Sequence, residues 1–190
     1  MSSADLKVSV RWFEERDIPY KVRWINDPEV NRYLHYDIPV NEDRTAVWYR
    51  RILQDPTRVD FVIEVMNDGE RVPVGVIGLL NIDLKMMKAE FYIAVGDKNY
   101  WGQGVATIAA KKFIRYSFKR FPLNKIYLFT EKDNLYARRL FERLGFKCEG
   151  LLRQDVIHMG GKIDRYVYGL LREECLYAQD STDPSSYSVT

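Results

Sequence analysis

The sequence has only two histidines, His35 and His158, and two cysteines, Cys148 and Cys175, in no metal-like spacing. That scarcity excludes a histidine-rich or cysteine-built metal site, so no metal is expected. It also sets aside a disulfide framework and favours free thiols in a reducing, cytoplasmic setting. No apolar run approaches the ~20 residues that a membrane span needs. The first residues, Met1 to Asp5, lack an apolar signal core, so neither a membrane nor an export route is expected. An excess of one charge is missing too. Twenty-nine Lys and Arg stand against 27 Asp and Glu, interspersed, for a net charge of +2. A nucleic-acid binder would show a basic stripe or tail, and none is expected here.

What is present is an ordinary globular composition, 46% apolar and 29% charged, over 190 residues. That length suits one domain with a proper core. The expected domain covers residues 1 to 175, and 176 to 190 reads as a flexible, Ser- and Asp-rich tail. Val8, Val10 and Trp12 alternate with polar residues, as in a strand. Asp17 and Pro19 mark the start of a helix that runs to about Asn26. A short helical piece follows over 29 to 34. Asn41 or Asp43 caps a longer helix to about Gln54, with Val47, Ile52 and Leu53 expected on its inner side. Strands then follow at 61 to 65, 72 to 82 and 88 to 95, the first two joined at the turn signal Asn67-Asp68-Gly69. Gly75 and Gly78 inside the second suggest bulges or close approach. After a glycine loop come a helix over 105 to 118, a strand at 126 to 129, a helix to Leu144 ended by Gly145, and two last strands. The fold class is therefore α+β, a mixed, mostly antiparallel sheet of about seven strands flanked by helices.

The stretch with the most chemistry in it is Asn99-Tyr100-Trp101-Gly102-Gln103-Gly104-Val105-Ala106-Thr107, between a strand and a helix. Two glycines one residue apart let a backbone pass close to a ligand. The following helix offers unpaired N–H groups and its positive dipole end, a ready anion site. The same pattern also serves as a plain tight connection. Further on, Asn134, Ala137, Arg138 and Phe141 recur at helical spacing and share one face.

Together, the Gly102-x-Gly104 loop and the run Asn134-x-x-Ala137-x-x-x-Phe141-x-x-x-Gly145-Phe146 resemble the GCN5-related N-acetyltransferase (GNAT) superfamily. The chain is most similar to its branch of spermidine, ribosomal-protein and amino-sugar acetyltransferases, and the runs Lys88 to Ile93, Leu144 to Gly150 and Val30 to Tyr33 resemble the polyamine enzymes of that branch. The resemblance implies the GNAT fold, acetyl-CoA as cosubstrate and acetyl transfer to a primary amine of a small molecule, a polyamine or an amino sugar. It leaves a homodimer open. Two alternatives stand beside this, a protein N-terminal acetyltransferase and a weakly catalytic CoA-binding module.

The resemblance also implies site residues. Trp101, Gly102, Gln103, Gly104, Val105, Ala106 and Thr107 would hold the pyrophosphate. Ile93, Ala94 and Val95 would pair with the pantetheine, and Asn134, Ala137, Arg138 and Phe141 would line the opposite wall. The acceptor ammonium must lose a proton before it can attack. Glu90, in an otherwise apolar strand, is the candidate base, and Tyr92, on the same face, a candidate acid. Tyr33, His35, Tyr36 and Glu42 are the expected acceptor contacts. One departure matters. Phe141 stands where many relatives have a tyrosine thought to protonate the departing thiolate, and Tyr136, about 140° around the helix, is not placed to replace it.

Overall fold

The computed structural model describes residues 6 to 158 and 160 to 179, with the side chains of 178 and 179 left aside. The seven strands are β1 (Val8–Trp12), β2 (Val59–Asn67), β3 (Glu70–Asp83), β4 (Lys88–Val95), β5 (Lys125–Glu131), β6 (Lys147–His158) and β7 (Gly161–Leu171). They form one sheet in the order β1-β2-β3-β4-β5-β7-β6. Only β4 and β5 run parallel; every other neighbouring pair is antiparallel. This is the expected mixed α+β sheet.

Strand alternation sends side chains to two separate cores. On β2, Phe61, Ile63 and Val65 face one cluster, while Val62 faces the other. The larger cluster lies under α4 (Val105–Arg120) and α5 (Leu135–Arg143), with Ala109, Phe113, Ile114, Phe141 and Leu144 buried against the sheet. Burying a side chain of the size of Phe113 contributes roughly 2–3 kcal/mol from area alone. The smaller cluster lies under α1 (Ile18–Asn26) and α3 (Glu42–Ile52), around Phe13, Trp24, Val30, Val62 and Val76. Between these helices sits the short α2 (Pro28–Asn31), capped by the Asp27 carboxylate on the Glu29 and Val30 amides.

Some local expectations needed correction. Asp17 stands at the N-cap of α1, but its carboxylate does not cap. It accepts instead from both Nη atoms of Arg11 at 2.7 Å and from the Glu14 amide, because a wholly buried carboxylate is held better by a guanidinium. Asn41, not Asp43, caps α3. The expected inner face of α3 is also wrong in part: Val47 and Leu53 are exposed at 50% and 65%. Thr45 is the buried residue, and Trp48 and Tyr49 turn inward to the ring of Phe13. These follow the i, i+3, i+4 stripe, and the aromatic rings cover more area than a valine.

Past Cys175 the chain enters a short helix, α6 (Leu176–Gln179), where a flexible tail had been expected, and the Tyr177 hydroxyl donates to the Leu144 carbonyl at 3.1 Å. The rest of that tail, from residue 180 on, lies outside the described residues, as does Met159. No helix among the described residues is long and apolar enough to cross a membrane.

Candidate active site

The parallel contact between β4 and β5 is short. Lys88, Ala89 and Glu90 pair with Lys125, Ile126 and Tyr127, and beyond Glu90 the strands separate. From Phe91 to Val95, β4 stays paired to β3 on its other side, so the edge facing β5 has backbone groups with no sheet partner. Into this opening runs a cleft of about 520 Å³. Its walls come from α1 (Lys21, Trp24, Ile25), the stretch after α2 (Tyr33, His35, Tyr36), β4 (Glu90 to Ala94), the end of β5 (Phe129 to Glu131) and α5 with its cap (Asn134, Ala137, Phe141). A second concavity of about 610 Å³, between β1 and α1, is lined by Arg11, Asp17, Glu64 and Arg71, which pair with one another. It holds no group from the loop or the separated strands.

The glycine loop connects the end of β4 to α4. Gly102 and Gly104 take φ of 74° and 83°, a region costly for any residue with a Cβ. A Cβ built on either meets nothing within 4 Å, so the space beside them is open. Gly104 is the N-cap of α4, no side chain caps the helix and no acidic residue occupies its first turn. The first turn therefore presents uncompensated N–H groups to an open cradle, which suits a pyrophosphate. The loop is braced from behind. Trp101 Nε1 donates to the Val95 carbonyl at 2.8 Å, and the Gln103 amide folds back onto the Asn99 carbonyl at 2.5 Å. Lys98 pairs with Asp27 at 2.7 Å, tying the loop to α2.

Glu90 and Tyr92 lie on one face of β4, as the period of two requires, and that face looks toward the helices α1 and α3. Glu90 is half-buried and accepts from Asn81 Nδ2 at 2.9 Å. Tyr92 is built in more tightly. Its ring rests over Gly78, where a Cβ would come within 2.5 Å of Cε1, so this glycine does serve close approach. Its hydroxyl donates to Asp60 Oδ1 at 2.5 Å, and burial followed by the Asp60 charge raises its pKa well above the ordinary phenol value. A phenol so held gives up its proton reluctantly, which suits positioning better than acid catalysis.

Among the expected acceptor contacts, Tyr33, His35 and Tyr36 line the cleft. Glu42 does not. Because Asn41 takes the cap, Glu42 opens α3 on its exposed side. His35 is pinned: its Nε2 meets Glu131 Oε1 at 2.5 Å and its ring stacks on His158 with centroids 4.6 Å apart. On the opposite wall, Asn134, Ala137 and Phe141 face the cleft, with the Asn134 side chain also accepting from the Ala137 amide. Arg138 turns away, against the expectation. Its guanidinium lies 4.5 Å from the Tyr166 ring and reaches the Tyr168 hydroxyl, drawn there by cation–π and hydrogen-bond partners on β7. Phe141 is buried at 6% exposure among Phe91, Phe146 and Tyr168 and brings no polar atom. Tyr136 is 85% exposed, so it does not take over.

Several residues of the site escaped sequence reasoning, chiefly Lys21, Arg58 and Glu131, which line the cleft, and Asp60, which accepts from the Tyr92 hydroxyl. Lys21 left one signal, a charge on the apolar stripe of α1 with Ile18 and Ile25. Asp60 left none, because a carboxylate at a strand end reads as a solvated one.

Comparison with known proteins agrees with this geometry. The family model described as "Acetyltransferase (GNAT) domain" matches residues 7–147. A spermidine N(1)-acetyltransferase of Escherichia coli (strain K12) is 32% identical over 148 residues, 78% of this chain and 77% of that protein. A putative ribosomal N-acetyltransferase of Bacillus subtilis (strain 168) is 35% identical over 102 residues, 53% of this chain and 54% of that one. Among solved structures, the spermidine N-acetyltransferase of Vibrio cholerae in complex with CoA and spermine superimposes with a TM-score of 0.81 at 25% identity, covering 89% of this chain and 98% of that one.

Proposed function

The chain belongs to the GNAT acetyltransferase family and is an acetyl-CoA-dependent N-acetyltransferase, and on that premise we propose that its acceptor is a primary amine of a small molecule, a polyamine or an amino sugar. The observation that carries the reading is the separation of β4 from β5 beside an uncapped, glycine-lined helix N-terminus. The spermidine acetyltransferases among the relatives support a polyamine; the aromatic lining from Tyr33, Tyr36 and Trp48 suits a sugar face.

In the proposed reaction the amides of Gly102 to Thr107 hold the pyrophosphate. The unpaired edge of Tyr92, Ile93, Ala94 and Val95 takes up the pantetheine amides, and Asn134, Ala137 and Phe141 close the other side. Glu90, directly or through one water, accepts the proton of the acceptor ammonium. The freed nitrogen lone pair attacks the thioester carbonyl carbon, the nitrogen gives up its second proton to solvent, the C–S bond breaks, and CoA leaves as the thiolate, a fair leaving group without an acid. Phe141 supplies none, and solvent reaching the cleft supplies the last proton.

The ribosomal-type relative supports the second reading, a protein N-terminus as acceptor. The His35–Glu131 bridge ties the helical side of the cleft to β5 and favours a bounded pocket over an open peptide groove. A cytoplasmic setting goes with Cys148 and Cys175 forming no disulfide. The long edge strand β6, with Leu151, Leu152 and Ile157 exposed, supports self-association as a homodimer. One assay tests the reading: thiol release from acetyl-CoA with polyamines, amino sugars, aminoglycosides, and Ser- or Ala-initiated peptides. Turnover with small amines and none with peptides is expected. Turnover with peptides alone overturns the small-molecule reading, and silence across the panel leaves the CoA-binding module.

A further inference from the structure

Lys21 is a buried cation without a counter-charge of its own. It lies on the inward stripe of α1, is 6% exposed and lines the acceptor half of the cleft. Its ammonium sits 4.3 Å from the Trp48 ring centroid and 5.7 Å from that of Tyr36. Among the described residues no carboxylate forms an ion pair with it and no oxygen accepts from it. The carboxylate that acts on it electrostatically, Asp60, is already engaged. Asp60 Oδ1 accepts from Arg58 Nη2 and the Tyr92 hydroxyl, and Oδ2 accepts from Arg58 Nε. This corner of the cleft therefore holds two cations against one carboxylate, and both cations reach the same Trp48 ring. The other charges lining the cleft have other neighbours: Glu90 accepts from Asn81, Glu131 lies beside His35 Nε2, and Arg165 forms an ion pair with Asp155.

Buried charges are normally paired, because desolvation is not repaid by aromatic faces alone. A missing partner at the wall of a ligand cleft is a partner the ligand can bring. We propose that Lys21 is the recognition group of an oxyanion subsite, which holds a carboxylate or phosphate of the acceptor while the acceptor's primary amine lies at Glu90. This rests on the small-molecule amine reading above and narrows it. A polyamine in its protonated form brings further cations to a corner that already has one in excess, whereas an amine bearing an oxyanion supplies what is missing. Burial also lowers the Lys21 pKa to about 8, so the group is still largely protonated at neutral pH and an incoming anion strengthens that charge.

The test uses amine pairs that differ in the oxyanion: glucosamine 6-phosphate against glucosamine, and 4-aminobutyrate against butylamine, with spermidine alongside. Each is measured as kcat/KM for wild type, Lys21→Met and Lys21→Arg. The wild type is expected to favour an oxyanion-bearing member over its partner without one by about tenfold or more, the worth of one charged hydrogen bond. Lys21→Met brings that ratio to within about threefold of one, and Lys21→Arg retains a preference. The phosphate and carboxylate pairs tell which oxyanion is read. Ratios near one in the wild type, ratios unmoved by Lys21→Met, or spermidine as the best substrate overturn the proposal and leave the small-amine reading standing. If no amine is acetylated, that reading falls by itself and an amine-free probe decides for Lys21. Glucose 6-phosphate and butyrate are titrated into the CoA complex. Binding that weakens about tenfold in Lys21→Met sustains the subsite, and absence of binding overturns it. Unchanged acetyl-CoA affinity in each variant shows that the cleft has kept its fold.

Discussion

The Tyr92 hydroxyl and the Asp60 carboxylate meet at 2.5 Å across β4 and β2, and the Arg58 guanidinium holds the same carboxylate at 2.7 and 2.8 Å. Asp60 is 6% exposed, so each of these donors matters to it. Tyr92→Phe removes one donor from a buried carboxylate and is expected to cost about 1–3 kcal/mol in denaturant unfolding. Turnover falls less than about tenfold, because a hydroxyl with a raised pKa is not a ready proton donor. Loss of turnover with unchanged stability would instead make Tyr92 the acid.

Glu90→Gln keeps a side chain able to reach Asn81 and removes the proton acceptor. The expected result is a fall in kcat of about 10²–10⁴ with acetyl-CoA affinity unchanged. A variant as fast as wild type near neutral pH would clear Glu90 of the base role.

Phe141→Tyr adds one hydroxyl at the cleft wall, where relatives are thought to carry their acid. Phe141 touches Phe91, Phe146 and Tyr168 through its ring, so the backbone has no reason to move. A rise in kcat of about tenfold is expected, a modest share of what a placed acid contributes. Tyr136→Phe, on the solvent side, changes nothing. Thiol release at saturating substrate compares the two.

Gly104→Ala places a Cβ at φ 83° in open space, so the cost is conformational rather than a clash. About 1–2 kcal/mol of destabilisation is expected. The added methyl also enters the cradle beside the α4 N-terminus. Acetyl-CoA affinity, read by calorimetry, weakens by about tenfold.

Lys21→Met removes a charge that folding had to desolvate. The Lys21 pKa falls from 10.5 to about 8, so the unfolded chain binds the proton more tightly. The penalty, on the order of 3 kcal/mol, is fully present below pH 8 and disappears as pH rises to 10.5. Loss of the cation–π contact offsets about 1–2 kcal/mol of the gain. The variant should therefore be the more stable protein at pH 7 and lose that advantage above pH 10.5, in melting curves across the range. Equal stability at pH 7 would mean that the ammonium is better solvated than its burial implies.

The sequence by itself determined the local features. The Gly102-x-Gly104 loop, the Gly145 stop and the bounds of β4 all depend on a few neighbouring residues with restricted backbone chemistry. The shared face of Glu90 and Tyr92 follows from a period of two and needs no tertiary contact. The paired motifs pointed to the family, and the match over residues 7–147 carries that identification. Tertiary structure decided which side chains share a cleft. Glu42 and Arg138 had the right chemistry, but the start of α3 left one in solvent and the rings of β7 drew the other away. Lys21, Arg58 and Asp60 come from α1 and the start of β2, and meet only because α1 and α3 pack on that face of the sheet. Charge pairing across such a distance depends on packing, and a linear pattern carries no trace of which cation is left without its carboxylate.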